Sequence, residues 1–184
     1  MKVSKQIQKK LLEHARLAIE HYLDSSDYYY EVPKTSILGK KHGIFLTIFV
    51  DDNLRGSLGY VDSEQCVMES VVELAQALCD GSERYPKLKK YELPYLTIRI
   101  DIFSALKQIY GKDEIEIGKH GLYVKHMDSE GLIFPHEAVE RNFDEVIFLN
   151  EVCQKAGLPS FKWEDDECKV YIFDTNVFSD QETH

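Results

Sequence analysis

Cysteine, basic charge and long apolar runs are all scarce in this sequence, and each scarcity argues against a class of protein. The four cysteines form no C-x-x-C pair and lie far apart, so we expect reduced thiols and neither disulfides nor a zinc knuckle. No apolar stretch is long enough for a signal peptide or a membrane span, which predicts a cytoplasmic protein without membrane contact. Internal repeats and low-complexity tracts are also absent from the sequence.

The charge balance of the chain is acidic. Asp and Glu number 32 against 22 Lys and Arg, which gives a formal net charge of -10. Nucleic acids are bound by clustered cations, and an acidic surface repels the phosphate backbone. The balance therefore argues against nucleic-acid binding, and the short basic run KLKK at 87–90 is interpreted as a solvated loop.

What the chain does contain is enough apolar residues for a core, since 43% of its residues are hydrophobic. We expect residues 1–184 to form a single domain, with room for two lobes. Strand and helix patterns are intermixed, and no glycine-rich phosphate loop follows a strand at a helix entrance. These features favour an α+β fold of antiparallel sheets with flanking helices over a doubly wound parallel sheet.

Hydrophobic periodicity and capping residues predict the individual elements. Three longer helices begin at Ser4, Ser63 and Asn142, and Pro135 suits the first turn of another. Residues 24–43 are interpreted as a connection, and 176–178 as an extension of the last strand. The predicted helices cover residues 4–22, 63–80 and 142–156, and the predicted strands cover 43–50, 54–60, 95–103, 120–126, 131–134 and 169–173.

The stretch LRGSLGY, residues 54–60, places an arginine among small residues in a predicted strand. Strict alternation puts Arg55, Ser57 and Gly59 on one face. Glycine weakens a strand unless a bulge, a bend or the close approach of a backbone or ligand requires it. An Arg fork beside backbone N–H groups and a hydroxyl suits a carboxylate or a phosphate. Composition alone favours the alternative, in which Gly56 and Gly59 serve packing and Arg55 makes a structural ion pair.

Candidates for catalysis are few. Ser57 lies in no G-x-S-x-G elbow and has no base beside it in the sequence. His136 stands next to Glu137, which would make an acid–base pair if the geometry brought the two together. Ser57, His120 and His136 are therefore the candidates for turnover, and whether there is a reaction stays open. The sequence predicts no metal site and no cofactor.

Several motifs, taken in order, are similar to the AMMECR-type domain, known in prokaryotes as AmmeMemoRadiSam system protein A. GIFLTIFVDDNLRGSLGY resembles the strand and L-R-G-C-I-G signature of that family. GLIFPHEA and FLNEVCQKAGL resemble its G-L-x-x-P-Q-V-A and F-L-x-x-x-C-x-K-A-G-L elements. The resemblance spans about residues 5 to 178. It implies an α+β domain with a larger and a smaller lobe, with the signature near a cleft between them.

The resemblance also implies site residues and partners. It reverses the preference at the signature, so that Arg55, Gly56, Ser57 and Gly59 become the expected contacts of a small anionic ligand. Arg84 matches the arginine of the family's D-P-R-F element. Prokaryotic members are associated with a Memo-like protein and a radical SAM protein, which implies a shared modification pathway. The alternative is a non-catalytic module that docks a Memo-like partner.

Three positions depart from the family pattern. Ser57 stands in place of the signature cysteine, so a mechanism that needs a thiolate there is not open to this chain. His136 replaces the usual glutamine of the G-L-x-x-P-Q element, and D-P-R-F is loosened to SERYP. The ligand is therefore not expected to match that of typical members in every contact.

Overall fold

The computed structural model describes residues 3–27, 42–61, 63 and 65–181, so most of the predicted connection at 24–43 lies outside the described residues. The helices are α1 (Lys5–Ser25), α2 (Val67–Cys79), α3 (Pro135–Glu140) and α4 (Glu145–Lys155), with a 3-10 helix at Lys90–Tyr95. The strands are β1 (Ile44–Val50), β2 (Asn53–Tyr60), β3 (Leu96–Phe103), β4 (Lys107–Ile109), β5 (Gly121–His126), β6 (Ser129–Ile133), β7 (Lys169–Phe173) and β8 (Thr175–Ser179).

Two compact units divide the described chain, and each has its own hydrophobic core. Of the described residues, the first unit holds 3–27, 42–61, 63, 65–102 and 176–181, and the second holds 103–175. The first contains a sheet of order β2-β1-β3-β8 together with α1 and α2, and the second contains a sheet of order β4-β7-β5-β6 together with α3 and α4. Strand pairing is antiparallel. The predicted α+β fold of antiparallel sheets with flanking helices is confirmed.

Helix α1 forms where the amphipathic spacing predicts it. The Ser4 side chain accepts a hydrogen bond from the Ile7 N–H at 3.4 Å, which confirms the predicted N-cap. Leu11, Ala15 and Ile19 recur on one face and are completely buried. The opposite face is charged, and no helix in the described ranges has the length and apolarity needed to cross a membrane.

Two helices begin later than their predicted caps. Cys66, not Ser63, precedes α2, and Ser63 is instead buried with its hydroxyl 2.9 Å from that of Ser70. Asp144, not Asn142, caps α4, with its carboxylate accepting from the helix N–H three residues on at 2.7 Å. Asn142 has a left-handed φ of 52° in the turn before the cap. Near α4 the sequence contains two residue types that cap helices, Asn142 and Asp144, and the second is used. At α2 the residue before the helix, Cys66, makes no side-chain cap hydrogen bond and is not a type that marks a helix start in sequence.

The end of the chain also differs from the prediction. Residues 176–178 do not extend the last predicted strand, because they belong to β8, which lies beside β3 in the other sheet. The two strands are separated at Asp174, which forms two hydrogen bonds with Ser104. The Asp174 N–H donates to the Ser104 hydroxyl and the Ser104 N–H donates to the Asp174 carbonyl, both at 2.9 Å. A change of sheet partner leaves no periodic signal in the sequence.

Candidate functional site

Strand β2 carries the signature stretch and lies at the edge of the first unit's sheet. Its register pairs Gly56 with Ile48 and Leu54 with Phe49, so Arg55 has no residue opposite and the strand is irregular there, as at a β-bulge. The strict alternation assumed from the sequence therefore does not hold at Arg55. The bulge gives this side chain neighbours of its own.

The Arg55 guanidinium is bound within the chain on all its nitrogens. Nε donates to Glu92 Oε1 at 2.8 Å, Nη1 to the Pro86 carbonyl at 2.6 Å and Nη2 to the Lys87 carbonyl at 3.0 Å. Nη2 also lies 3.3 Å from Glu92 Oε2, which makes the ion pair bidentate. Arg55 thus ties β2 to the segment that follows α2.

The same contacts change the pKa of the Glu92 carboxyl. Burial raises the pKa of its carboxyl, but hydrogen bonds from the Arg55 guanidinium and from the Lys89 N–H, with the attraction of those charges, outweigh burial and lower the pKa below its usual value. The Glu92 side chain is 12% exposed and that of Arg55 is 13% exposed. The pair is therefore ionised and largely shielded from solvent at neutral pH.

Both signature glycines are close to other atoms. A Cβ at Gly56 would lie 3.0 Å from Leu78 Cδ2. A Cβ at Gly59 would lie 2.3 Å from the Phe45 ring and 2.4 Å from the Ile44 carbonyl oxygen, closer than any real Cβ contact. These distances give both positions a packing reason for glycine.

Ser57 lies in a row of three side chains that crosses the sheet. Thr47 on β1 is opposite Ser57 on β2 and opposite Arg99 on β3, and residues directly opposite in a sheet share a face. The Ser57 and Thr47 hydroxyls are 2.8 Å apart in a hydrogen bond. The Arg99 guanidinium carbon lies 5.6 Å from the centre of the Phe49 ring, on the same face. We call this side of the first unit's sheet the polar face, since the other side carries the buried isoleucines of β1 and β3.

An ion pair completes the polar face. Arg99 Nε lies 3.2 Å from Asp101 Oδ2, two residues further along β3. The Asp101 side chain is 0% exposed, whereas that of Arg99 is 26% exposed and Ser57 is exposed. The polar face therefore offers solvent the Ser57 hydroxyl and part of the Arg99 guanidinium, whereas the Thr47 side chain and the Asp101 carboxylate are buried.

Sequence reasoning missed Arg99, Asp101, Thr47 and Glu92. A signal existed for the first three: the alternation of YLTIRIDIF puts Arg99 and Asp101 on the face away from the isoleucines, and Thr47 is the one polar residue in GIFLTIFV. No local signal singles out Glu92. It meets Arg55 through chain folding across 37 positions.

Arg84 lies in the segment after α2. Its guanidinium carbon is 5.4 Å from the centre of the Tyr85 ring, and the residue is exposed. Its backbone N–H donates to the Ser82 hydroxyl at 3.3 Å. Arg84 therefore belongs to the same segment whose carbonyls bind Arg55. A ligand contact by Arg84 stays a prediction.

The candidate histidines belong to the second unit, whereas Ser57 belongs to the first. His120 Nδ1 accepts from the Glu116 N–H at 3.1 Å, and its Nε2 lies 3.8 Å from Asp174 Oδ1. His136 stacks on the Phe134 ring with centroids 5.5 Å apart. Neither contact by itself assigns a chemical step.

The cysteine thiols and the side chains that could ligate a metal give little support to thiol or metal chemistry among the described residues. All four cysteines are free thiols. Burial raises the pKa of Cys79 to about 12 and that of Cys153 to about 11, which keeps both protonated and poorly nucleophilic. Across the described ranges, no three His, Cys, Asp or Glu side chains lie close enough together to hold a metal ion.

The chain is similar to known proteins over nearly its whole length. The family model described as AMMECR1 matches residues 12–178. Protein MK0488 of Methanopyrus kandleri is 34% identical, over 94% of this chain and 87% of its own length. Protein PH0010 of Pyrococcus horikoshii is 32% identical over 93% of this chain and 88% of its own. The crystal structure of that uncharacterized protein matches with a TM-score of 0.88 at 30% identity, covering 97% of this chain and 94% of the other.

Proposed function

Because this chain belongs to the AMMECR1 family, we propose that it binds a small anionic ligand at the family's signature strand, on the polar face of the first unit's sheet. The observation that carries the proposal is the cross-strand row of Ser57, Thr47 and Arg99. It aligns two hydroxyls and a guanidinium on one side of a rigid sheet, at the signature position where the family has a cysteine.

The chemistry of the row suits an oxyanion. In the hydrogen bond between Ser57 and Thr47, one hydroxyl donates and the other accepts, so the accepting hydroxyl keeps its hydrogen for another partner. Arg99 contributes a planar cation with donors suited to carboxylates and phosphates. Ser57 and Arg99 are the two members of the row that reach solvent.

Arg55 and the glycines have a different role in this proposal. Arg55 positions the strand, since Glu92 and two carbonyls occupy its guanidinium. Gly56 and Gly59 let β2 lie close to Leu78 and Phe45. They thereby place the Ser57 hydroxyl beside Thr47. We assign no catalytic step to Ser57 or to the histidines.

The test is a thermal-shift screen against carboxylates, phosphates and nucleotides. Compounds that bind should raise the melting temperature of the wild type, and Arg99→Gln should abolish that shift. The matched control is Arg141→Gln, which also removes an arginine paired with a carboxylate, here that of Glu151 on the second unit. Equal shifts in wild type and Arg99→Gln would remove Arg99 from the site, and no shift with any compound would refute anion binding.

A second candidate function is docking of a Memo-like partner, within the modification pathway that the family resemblance implies. The observation that favours it is the exposure of Leu54 and Leu58, 44% and 38%, on the edge strand β2. Edge strands with exposed apolar side chains accept extended segments of partner proteins. Calorimetric titration with a purified Memo-like protein should show binding that Leu58→Lys weakens. Val177→Lys, on the opposite edge strand β8, is the control.

A further inference from the structure

We propose that the second unit binds a small organic ammonium ion in a pocket beside Trp163. The pocket has a volume of about 200 Å³, and every residue that lines it belongs to the second unit. The polar face with its proposed anion site belongs to the first unit. The inference therefore goes beyond the proposed function and does not depend on it.

Apolar side chains form one part of the pocket lining. Four of them belong to the hydrophobic core of the second unit and are 2% to 6% exposed, namely Ile109, Leu149, Cys168 and Val170. A dry cavity of about 150 Å³ is enough to hold a benzene molecule. The pocket therefore has room for a ring-sized apolar group, whereas drug-sized ligands need about 300 Å³ or more.

Two aromatic residues of the lining, Trp163 and Tyr110, add rings that attract cations. Trp163 Nε1 donates to Asn150 Oδ1 at 2.9 Å, and the same oxygen accepts from the Phe161 N–H at 3.0 Å, so the indole is held in place. Tyr110 is 88% exposed. No lysine or arginine of the described chain lies over either ring. The two rings therefore offer surfaces to a cation from solution.

The charged groups of the lining also favour a cation. Glu164, Asp165 and Asp166 contribute three carboxylates, and Lys112 contributes the one ammonium group among the lining residues. Asp165 is paired with Lys162, whose Nζ lies 2.5 Å from its Oδ2. Glu164 and Asp166 are exposed, and neither carboxylate has a hydrogen bond or an ion pair with another described residue. The local field therefore attracts a positive charge and opposes an anion.

These features together select an organic cation over a metal ion. A metal ion needs several converging ligands, and no three His, Cys, Asp or Glu side chains of the described chain are close enough to hold one. An apolar wall beside carboxylates suits a compact hydrocarbon group that carries a charged nitrogen. In this site the hydrocarbon lies against Leu149 and Val170, and the nitrogen lies near the carboxylates of Glu164 and Asp166.

The experiment uses three probes of similar size on the full chain. They are benzylamine, benzyl alcohol and benzoate, which at neutral pH are a cation, a neutral molecule and an anion. Trp163 is the only tryptophan, so its indole N–H gives a single NMR signal that reports on this pocket. Benzylamine should shift that signal saturably, benzyl alcohol should bind more weakly, and benzoate should bind most weakly. Added salt should weaken the binding of benzylamine but not that of benzyl alcohol.

Two charge changes should move the affinity in opposite directions. Glu164→Gln combined with Asp166→Asn should raise the Kd of benzylamine about fivefold and leave that of benzyl alcohol unchanged, because each exposed charge contributes modestly. Lys112→Gln removes a like charge and should lower the Kd of benzylamine about twofold. The matched control is Glu140→Gln combined with Asp128→Asn, which removes the same two charges from exposed positions of the second unit outside the pocket and should change neither Kd.

The wild type alone is enough to overturn the inference. A Trp163 signal that stays unchanged up to concentrations at which weak amine binding saturates would do so, as would equal affinities for benzylamine and benzyl alcohol or tighter binding of benzoate. Equal losses of benzylamine affinity in the pocket variant and its control would show a general charge effect and also overturn it. None of these results bears on the anion site, because Ser57 and Arg99 belong to the first unit.

Discussion

At the scale of single residues, the two arginines of the signature region, Arg55 and Arg99, have different roles. Arg55 has four contacts with acceptors of the same chain and is 13% exposed, so its hydrogen bonds join β2 to the segment after α2. Arg99 is 26% exposed and forms an ion pair with Asp101 on the polar face. In the proposed site, the first arginine positions the strand and the second contacts the ligand.

Replacing Arg55 should therefore cost folding stability. Arg55→Ala removes the guanidinium that pairs with the Glu92 carboxylate and donates to two carbonyls, and breaking a shielded ion pair of this kind costs about 3 kcal/mol of unfolding free energy. Urea unfolding followed by circular dichroism measures the change. Arg84→Ala, at an exposed arginine of the adjacent segment, serves as control and should change stability by less than about 0.5 kcal/mol. Equal losses in the two variants would contradict the role of Arg55.

The Glu92 carboxyl should make part of this stability depend on pH. Its folded pKa is lowered, so its contribution is fully present above the unfolded pKa of about 4.3 and is lost as pH falls through the folded value. Glu92→Gln has no such contribution. The stability gap between wild type and Glu92→Gln should be constant near neutral pH and shrink on acidification below about pH 4.3. A gap that stays constant down to the folded pKa and below it would show that the charge of Glu92 is not what stabilises the fold.

At the scale of elements, the close approach of β2 to β1 depends on Gly59. Gly59→Ala would place a Cβ 2.3 Å from the Phe45 ring and 2.4 Å from the Ile44 carbonyl. We expect a loss of about 2 to 3 kcal/mol, as for other overpacked sites. The control is Gly111→Ala, where no atom lies within 4 Å of the new Cβ. Urea unfolding compares the two, and a Gly59→Ala protein as stable as its control would show that β2 can move away freely.

Most elements could be predicted from the sequence, because periodicity reports burial directly. The alternation of YLTIRIDIF matches the buried Ile98, Ile100 and Ile102 of β3. Partners across the chain could not be predicted in the same way. Glu92 joins Arg55 through tertiary folding, and the bulge at Arg55 changes a side-chain direction without any change in residue pattern.

At the scale of the whole molecule, charge is the property that most restricts ligands. The formal net charge of -10 repels a polyanion, and the Arg55 cation is already paired with Glu92. The proposed ligand is therefore a small anion. The composition argues against polyanionic ligands, although it contains nothing about the place of the proposed site.

Duplex nucleic acid should therefore not bind, which the acidic composition already predicted. Fluorescence anisotropy of a labelled duplex at about 50 mM salt, where electrostatic binding is strong, should show no change on adding the protein. Binding that weakens steeply with added salt would reveal a local basic surface and contradict this prediction.

The most direct test of the central claim is a titration of the isotopically labelled protein with acetate, followed by amide chemical shifts. We expect saturable shifts centred on Thr47, Ser57 and Arg99 in the wild type, and their loss in Arg99→Gln but not in Arg141→Gln. Saturable shifts centred elsewhere, or none up to concentrations at which weak carboxylate binding saturates, would contradict an anion site on the polar face.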